Sequence, residues 1–265
     1  MTRAPTAAPC LRILGSGTAI PHPRRGASGY ACVARSGQVL LLECGPGSSR
    51  RWPAHGITLD AIAGIVVTHH HVDHVGDLAA TFFARNVVEP PCTTRWAIAG
   101  PTGHAALVAA LEAAYGPQIA DREGLRPAQD LADGATIDVG PFRVHARHVT
   151  HGWPGSIGLR VTWDGVSIAF SGDSAPCDAL VELCRGVDLA LLECSYPAER
   201  ESSGHLTSKT AAEVATAACV TRLLLTHFYP VLDGVDVAVD VRRAGYTGGL
   251  QLAEDGDVIG LREAR

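Results

Sequence analysis

A chain of 265 residues that is 46% hydrophobic but only 5% aromatic can bury a sizeable core, built mostly from Ala, Val, Leu and Ile. Its formal charge of −5, with histidines neutral, gives no electrostatic footprint for nucleic acid beyond what a local basic patch would allow. No run approaches the roughly 20 apolar residues that cross a bilayer, and Met1 to Pro9 lacks the apolar stretch of a signal peptide, so a cytoplasmic protein with reduced thiols is expected.

Short apolar runs between turn signals read as buried strands. In chain order they are Leu11–Leu14, Val39–Leu42, Ile65–Val67, Arg143–Ala146, Ile157–Val161, Ser167–Ser171, Leu189–Leu192, Leu223–Thr226, Leu250–Leu252 and Val258–Leu261. Helical patterns fall at Thr102–Ala114, at the shorter Asp178–Cys184, and at Thr207–Val220, which opens on a Thr or Ser cap. Early strands pair with few helices between them and later strands alternate with helices. That mix predicts an α/β or α+β sandwich with sheets inside and helices outside. One domain over residues 1–265 is the simplest organisation, with no linker and no strong repeat. The stretch from about Arg85 to Asp138 holds Pro90-Pro91, Gly116-Pro117 and few strand signals, and is expected to be the loosest part, a variable cap.

Eight cysteines form no CxxC pair, and Cys32, Cys194 and Cys219 sit in apolar runs as expected small core residues. A disulfide or separate structural zinc is the minority reading. Lys209 is the only lysine among 22 basic residues. Coding bias explains this more simply than selection for arginine phosphate clamps.

Several apolar strands run into polar residues. Ile65-Val66-Val67 leads to Thr68-His69-His70-His71-Val72-Asp73-His74, Ile168-Ala169-Phe170 to Ser171-Gly172-Asp173, Leu223-Leu224-Leu225 to Thr226-His227, and Leu189–Leu192 to Glu193. Ligands gather at strand ends where loops converge. Imidazole and carboxylate together suit zinc and neighbouring first-row metals. In extended chain His69 and His71 share a face while His70 points away. A following turn into a helix brings Asp73 and His74 round to a second ion. Lone histidines are most simply surface residues, and His22, His55 and His104 are read so, on loops or a helix surface. Four ligand-type residues within six positions after a buried strand favour metal.

Thr-His-x-His-x-Asp-His after an apolar strand resembles the metallo-β-lactamase fold superfamily. So do Leu11-x-Ile13-Leu14-Gly15-Ser16-Gly17-Thr18, Leu40-Leu41-Leu42-Glu43-Cys44-Gly45, Ser171-Gly172-Asp173 and Leu225-Thr226-His227, in that order along nearly the whole chain. The resemblance implies a four-layer αββα sandwich with two divalent ions at one edge. It implies His69, His71 and His151 on the first ion, Asp73, His74 and His227 on the second, and Asp173 bridging. His151 is chosen over the runner-up His148 because it precedes Gly152 and a strand as the family's fourth histidine does. Alternation puts His145 on a strand face, with the core as one option. Glu43 stands where aspartate is usual and is expected behind a ligand histidine, whose orientation it can alter.

Gly204-His205-Leu206-Thr207-Ser208 resembles a His-x-Thr element of the ribonuclease Z-like and phosphodiesterase branch, where the histidine assists the leaving oxygen or holds the phosphate. A loop histidine beside an N-cap Thr would look the same. The branch's transfer-RNA-processing members carry a long Gly/Pro-rich arm between the fourth histidine and the bridging aspartate. Here only 22 residues separate His151 from Asp173. The resemblance therefore implies a phosphodiesterase acting on a small or cyclic, nucleotide-like phosphodiester. A metal-bridged hydroxide is the expected nucleophile, with Asp73 and His205 the catalytic side chains and transfer RNA not the expected partner. Zinc is the first choice, with manganese or iron compatible. The resemblance points to a homodimer. Rival readings are another hydrolase of the fold (thioester, lactone, sulfate ester or β-lactam), a transfer-RNA 3′-processing ribonuclease, and a non-catalytic metal-binding protein. Arg24 and Arg25 read as a solvated turn more simply than as phosphate contacts, and Tyr229 either packs or lines the pocket.

Overall fold

Runs such as Val39–Leu42 and Leu189–Leu192 are apolar along their length because both faces of the strands they form are covered. The computed structural model describes residues 8–121 and 123–261. Residues 1–7 of the opening stretch lie outside these. The first half holds β1 (Cys10–Gly15), β2 (Gly29–Val33), β3 (Val39–Leu42), β4 (Ile62–Val66), α1 (Val72–Val75), α2 (Leu78–Val87), β5 (Ala97–Pro101), α3 (His104–Tyr115) and β6 (Ala128–Leu131). The second holds β7 (Thr136–Val139), β8 (Phe142–His148), β9 (Ile157–Trp163), β10 (Val166–Phe170), α4 (Asp178–Cys184), β11 (Leu189–Glu193), α5 (Ser208–Ala217), β12 (Arg222–Thr226), α6 (Val237–Arg243), β13 (Gly249–Leu252) and β14 (Val258–Gly260).

Two mixed sheets result, ordered β14-β1-β2-β3-β4-β5-β6 and β13-β12-β11-β10-β9-β8-β7. Each is antiparallel at one side and parallel at the other: β3 to β6 run parallel in the first, β10 to β13 in the second. Alternate residues serve different cores. Leu40, Leu42, Ile168, Phe170 and Leu191 meet between the sheets. Leu41, Ile65 and Ile98 pack outward with Leu78 and Phe82 of α2 and Val108 of α3. Ala190, Leu192 and Leu225 pack outward against α4, α5 and α6. This is the four-layer αββα sandwich expected.

The region from Arg85 to Asp138 is not a loose cap. It supplies β5, α3 and β6, which complete the first sheet, and most of β7, which edges the second. Its strands escape sequence patterning because β5 reads Ala-Ile-Ala-Gly-Pro and β6 is a polar edge reading Ala-Gln-Asp-Leu. Cys219 also departs from expectation. It lies exposed past the end of α5 with φ 55°, while Cys32 and Cys194 are buried as expected. All eight cysteines are free thiols. No described helix is long and apolar enough to cross a membrane.

Candidate metal centre

Parallel strands deliver their carboxyl ends to one edge, and the polar residues cluster there. Past β4 the chain runs extended through Thr68 to His71, then turns into α1, which carries Asp73 and His74. Past β10, Gly172 turns with φ 55°, and a Cβ there would lie 2.6 Å from Cβ of Thr68, so glycine alone lets Asp173 come alongside the histidine loop. β12 is followed by His227 with φ 58° and β3 by Glu43 with φ 64°. Such left-handed residues are uncommon outside glycine and concentrate at functional sites.

The seven residues converge. Nε2 of His69 lies 3.0 Å from Nδ1 of His71, and Nε2 of His151 lies 3.2 Å from the same atom. A tetrahedral ion with bonds of roughly 2.0–2.1 Å sets its ligand nitrogens roughly 3.3 Å apart. Beside this trio, Nε2 of His74 and of His227 lie 3.8 and 3.5 Å from Oδ2 of Asp73. Asp173 faces both groups. Its Oδ2 is 3.7 Å from His69 and 4.0 Å from His151, and its Oδ1 is 3.5 Å from His74 and 3.4 Å from His227. One carboxylate thus offers an oxygen to each group.

The donor set fits divalent ions. Nε2 of His74 and His227 and Oδ1 of Asp173 are buried with no hydrogen-bond partner, a costly state for polar atoms unless something coordinates them. Meanwhile the opposite ring nitrogens of His69, His151 and His227 are held. Nδ1 of His151 donates to the Gly204 carbonyl at 2.7 Å, and Nδ1 of His69 lies 3.1 Å from Oγ1 of Thr68, which donates to Glu43. Nδ1 of His227 lies 3.1 Å from Oγ of Ser195, which donates to Glu193. Such contacts fix the tautomers of His69, His151 and His227 with Nε2 turned inward, whereas His71 turns Nδ1 to the trio. Glu43 stands behind the site as expected, 3.4 Å from Nδ1 of His74.

Burial opposes a charge on His74, but Asp173 and Glu43 outweigh it and hold its pKa well above the ordinary value. Burial, aided by the charge of His74, pushes His69 well below its usual value, and burial likewise lowers His71 and His151. The first group is therefore neutral, whereas His74 has a proton to lose before it can bind an ion. A raised imidazole is protonated below its folded pKa, so acid competes with the ion there. Affinity at the second group is expected to fall about tenfold per pH unit on that acid side, and less steeply at the first. Competition titration against a chromophoric chelator at several pH values reads both slopes, and equal slopes would contradict the assignment.

His205 lies beside this centre, its side chain 17% exposed. Its Nδ1 is 3.1 Å from Oε2 of Glu193 and 3.8 Å from Oδ2 of Asp173. Asp173, His205 and His227 also come close enough to form a third grouping. Glu193 holds the His205 ring through Nδ1, as Ser195 holds that of His227. Burial lowers the His205 pKa, but the hydrogen bond and charge of Glu193 prevail and leave it raised.

Ser195 is not among the expected site residues, and Glu193 is expected only as a carboxylate at a strand tip, with no role assigned. Glu193 is buried at the tip of β11 and receives the Ser174 N–H at 2.6 Å. Its strand-end position was the available signal. His148 is exposed and its N–H donates to Asp133, so His151 is the histidine that reaches the centre. His145 is half-buried and faces away from the core that Val144 and Ala146 enter. His70 points away from the ligands and meets His104 at 3.3 Å. His104 is no surface residue. It is fully buried at the start of α3, which lowers its pKa to about 3. Arg25 donates to Ser16 and the Ala253 carbonyl and lies over the Phe228 ring, while Arg24 faces Asp233. Tyr229 borders the centre, its ring 5.7 Å from that of His227.

A family profile described as the beta-lactamase superfamily domain matches residues 39–228, a span that contains every residue of this centre. A ribonuclease Z of Mycolicibacterium paratuberculosis is 32% identical over 249 residues, covering 84% of this chain and 86% of the relative. An uncharacterised protein of Mycobacterium bovis is 31% identical over 235 residues, covering 88% and 85%. Among solved structures, the metallo-β-lactamase fold protein YhfI of Bacillus subtilis superposes with a TM-score of 0.80 at 21% identity, covering 95% of this chain and 98% of that one. The short form of human tRNase Z superposes with a TM-score of 0.73 at 25% identity, covering 96% and 99%. The chain belongs to the metallo-β-lactamase superfamily, with ribonuclease Z-like relatives.

Proposed function

We propose that this protein is a two-metal phosphodiesterase acting on a small or cyclic, nucleotide-like phosphodiester. His69, His71 and His151 would hold one ion and Asp73, His74 and His227 the other, with Asp173 offering an oxygen to each group. Zinc suits this ligand set best, and manganese or iron is compatible with it. The carrying observation is His205, held through Nδ1 by Glu193 at 3.1 Å beside the ligand cluster, its side chain 17% exposed.

A bound pair of divalent ions supplies Lewis acidity toward the phosphoryl oxygens and a nucleophile at neutral pH. The protein's own residues do the rest. His205 gives a proton from Nε2 to the departing oxygen, and Glu193 keeps that imidazole charged and turned. Ser195 ties the same carboxylate to His227, so the proton donor and one ligand share an anchor. Asp73 and Asp173 supply the negative charge that retains the ions.

The relatives named ribonuclease Z favour a second reading, cleavage of transfer-RNA precursors. Against it, the chain between His151 and Asp173 folds into the β9–β10 hairpin, which closes through Asp164 and Gly165 and has no room for an arm. Turnover of bis-p-nitrophenyl phosphate, cyclic AMP, a transfer-RNA precursor, p-nitrophenyl sulfate, a lactone and nitrocefin, each with zinc, manganese and iron, decides between them. The small phosphodiesters should be the best substrates. Preference for the precursor would select the second reading, and preference for the sulfate, lactone or β-lactam would sink both.

A further inference from the structure

Aromatic side chains wall the candidate centre at both ends. On one side Tyr196 and Tyr229 stack at 5.2 Å, edge-on to His205 at 5.7 and 6.0 Å. The Arg200 guanidinium lies 3.8 Å over the Tyr196 ring. On the other side Trp153 meets the rings of His71 and His70 at 5.1 and 6.0 Å. Between the walls the ring contacts run through His71, His151 and His205.

Trp153 is out of keeping with the rest of the chain. The other three tryptophans are buried, whereas Trp153 is 36% exposed on a turn between Gly152 and Gly155. An indole left partly in water forgoes much of the stabilisation that burial would give. Its packing against two imidazoles leaves apolar surface free beside the candidate centre.

The proton donor fixes the sense of the substrate. The leaving oxygen must approach His205, so the departing arm lies toward Tyr196 and Tyr229. The arm that stays on phosphorus is then free to run along the His71 side, where Trp153 stands. Resting on the phosphodiesterase reading, we propose that Trp153 is a specificity residue that stacks a planar, nucleobase-like group on the retained arm of the substrate. Alkyl phosphodiesters, lacking that group, forfeit the contact.

Thymidine 5′-p-nitrophenyl phosphate and ethyl p-nitrophenyl phosphate test this, because they share a leaving group and differ in the retained arm. The metal-loaded protein should favour the thymidine ester by about tenfold in kcat/KM, mostly through KM, the size that one base–aromatic stack supplies. Trp153→Ala should bring that ratio close to one and Trp153→Phe should keep most of it. A ratio unchanged in Trp153→Ala, or equal KM values in the parent protein, overturns the proposal while leaving the phosphodiesterase reading in place. Binding provides a readout without turnover. Thymidine 5′-monophosphate should quench tryptophan emission, inorganic phosphate should not, and the quench should vanish in Trp153→Phe. Quenching of that kind without hydrolysis of either ester would retain the aromatic subsite and sink the phosphodiesterase reading. No quenching and no hydrolysis would sink both.

Discussion

Asp173→Ala is expected to strip the protein of its second ion, weaken the first, and lower turnover on a phosphodiester by at least about 10²–10³-fold. The reason is the division of one carboxylate between two clusters. Oδ1 faces His74 and His227, and Oδ2 faces His69 and His151. Burial works against a charge on Asp173, yet His227 and His74 hold its pKa well below the carboxylate range. Removing it leaves three histidines at the first group, enough for one ion in an open site. The second keeps Asp73, His74 and His227, with less negative charge to offset a divalent ion. Asp73→Ala should differ by emptying the second group alone. Metal content by atomic spectroscopy, paired with kcat, separates the two variants. Two tightly held ions and full turnover in Asp173→Ala would remove it from the centre.

This centre was legible in the sequence wherever a ligand follows a strand that is apolar on both faces. Ile168–Phe170 announces Asp173, and Leu223–Leu225 announces His227, because parallel strands bury both faces and then emerge at one edge. Fold was legible for the same reason, and failed where strands lie at an edge or are made of small residues. β6 exposes Gln129 and Asp130 at the sheet edge, and β5 is Ala, Gly and Pro apart from one Ile. Residues known only through their partners were harder. Glu193 is one more carboxylate at a strand tip until its oxygens are seen between Ser195 and His205. His104 reads as a loop or helix-surface histidine, and only the packing of α3 on the first sheet buries it against His70. Trp153 is not singled out in the sequence, because its place beside His71 depends on a contact across more than 80 positions of chain.

His205→Ala is expected to keep its metal and lose about 10²–10⁴-fold in kcat on a phosphodiester with an alkoxide leaving group. On a p-nitrophenyl ester the loss should be much smaller, since that leaving group departs without a proton. This contrast distinguishes a proton donor from a residue that merely holds the phosphate, whose removal would cost both substrates alike and appear in KM. Glu193 sets the pH range of the effect. Burial alone would lower the His205 pKa, and the Glu193 carboxylate raises it instead. The acid form therefore persists to higher pH than in a free histidine, and turnover of the alkoxide ester should fall as pH rises through that raised value. Glu193→Gln removes the opposing charge, lets burial prevail, and should move this alkaline limb to lower pH while metal content holds. An alkaline limb that stays put in Glu193→Gln would detach the pair from catalysis. Full activity of metal-loaded His205→Ala on the alkoxide ester would exclude His205 as the proton donor.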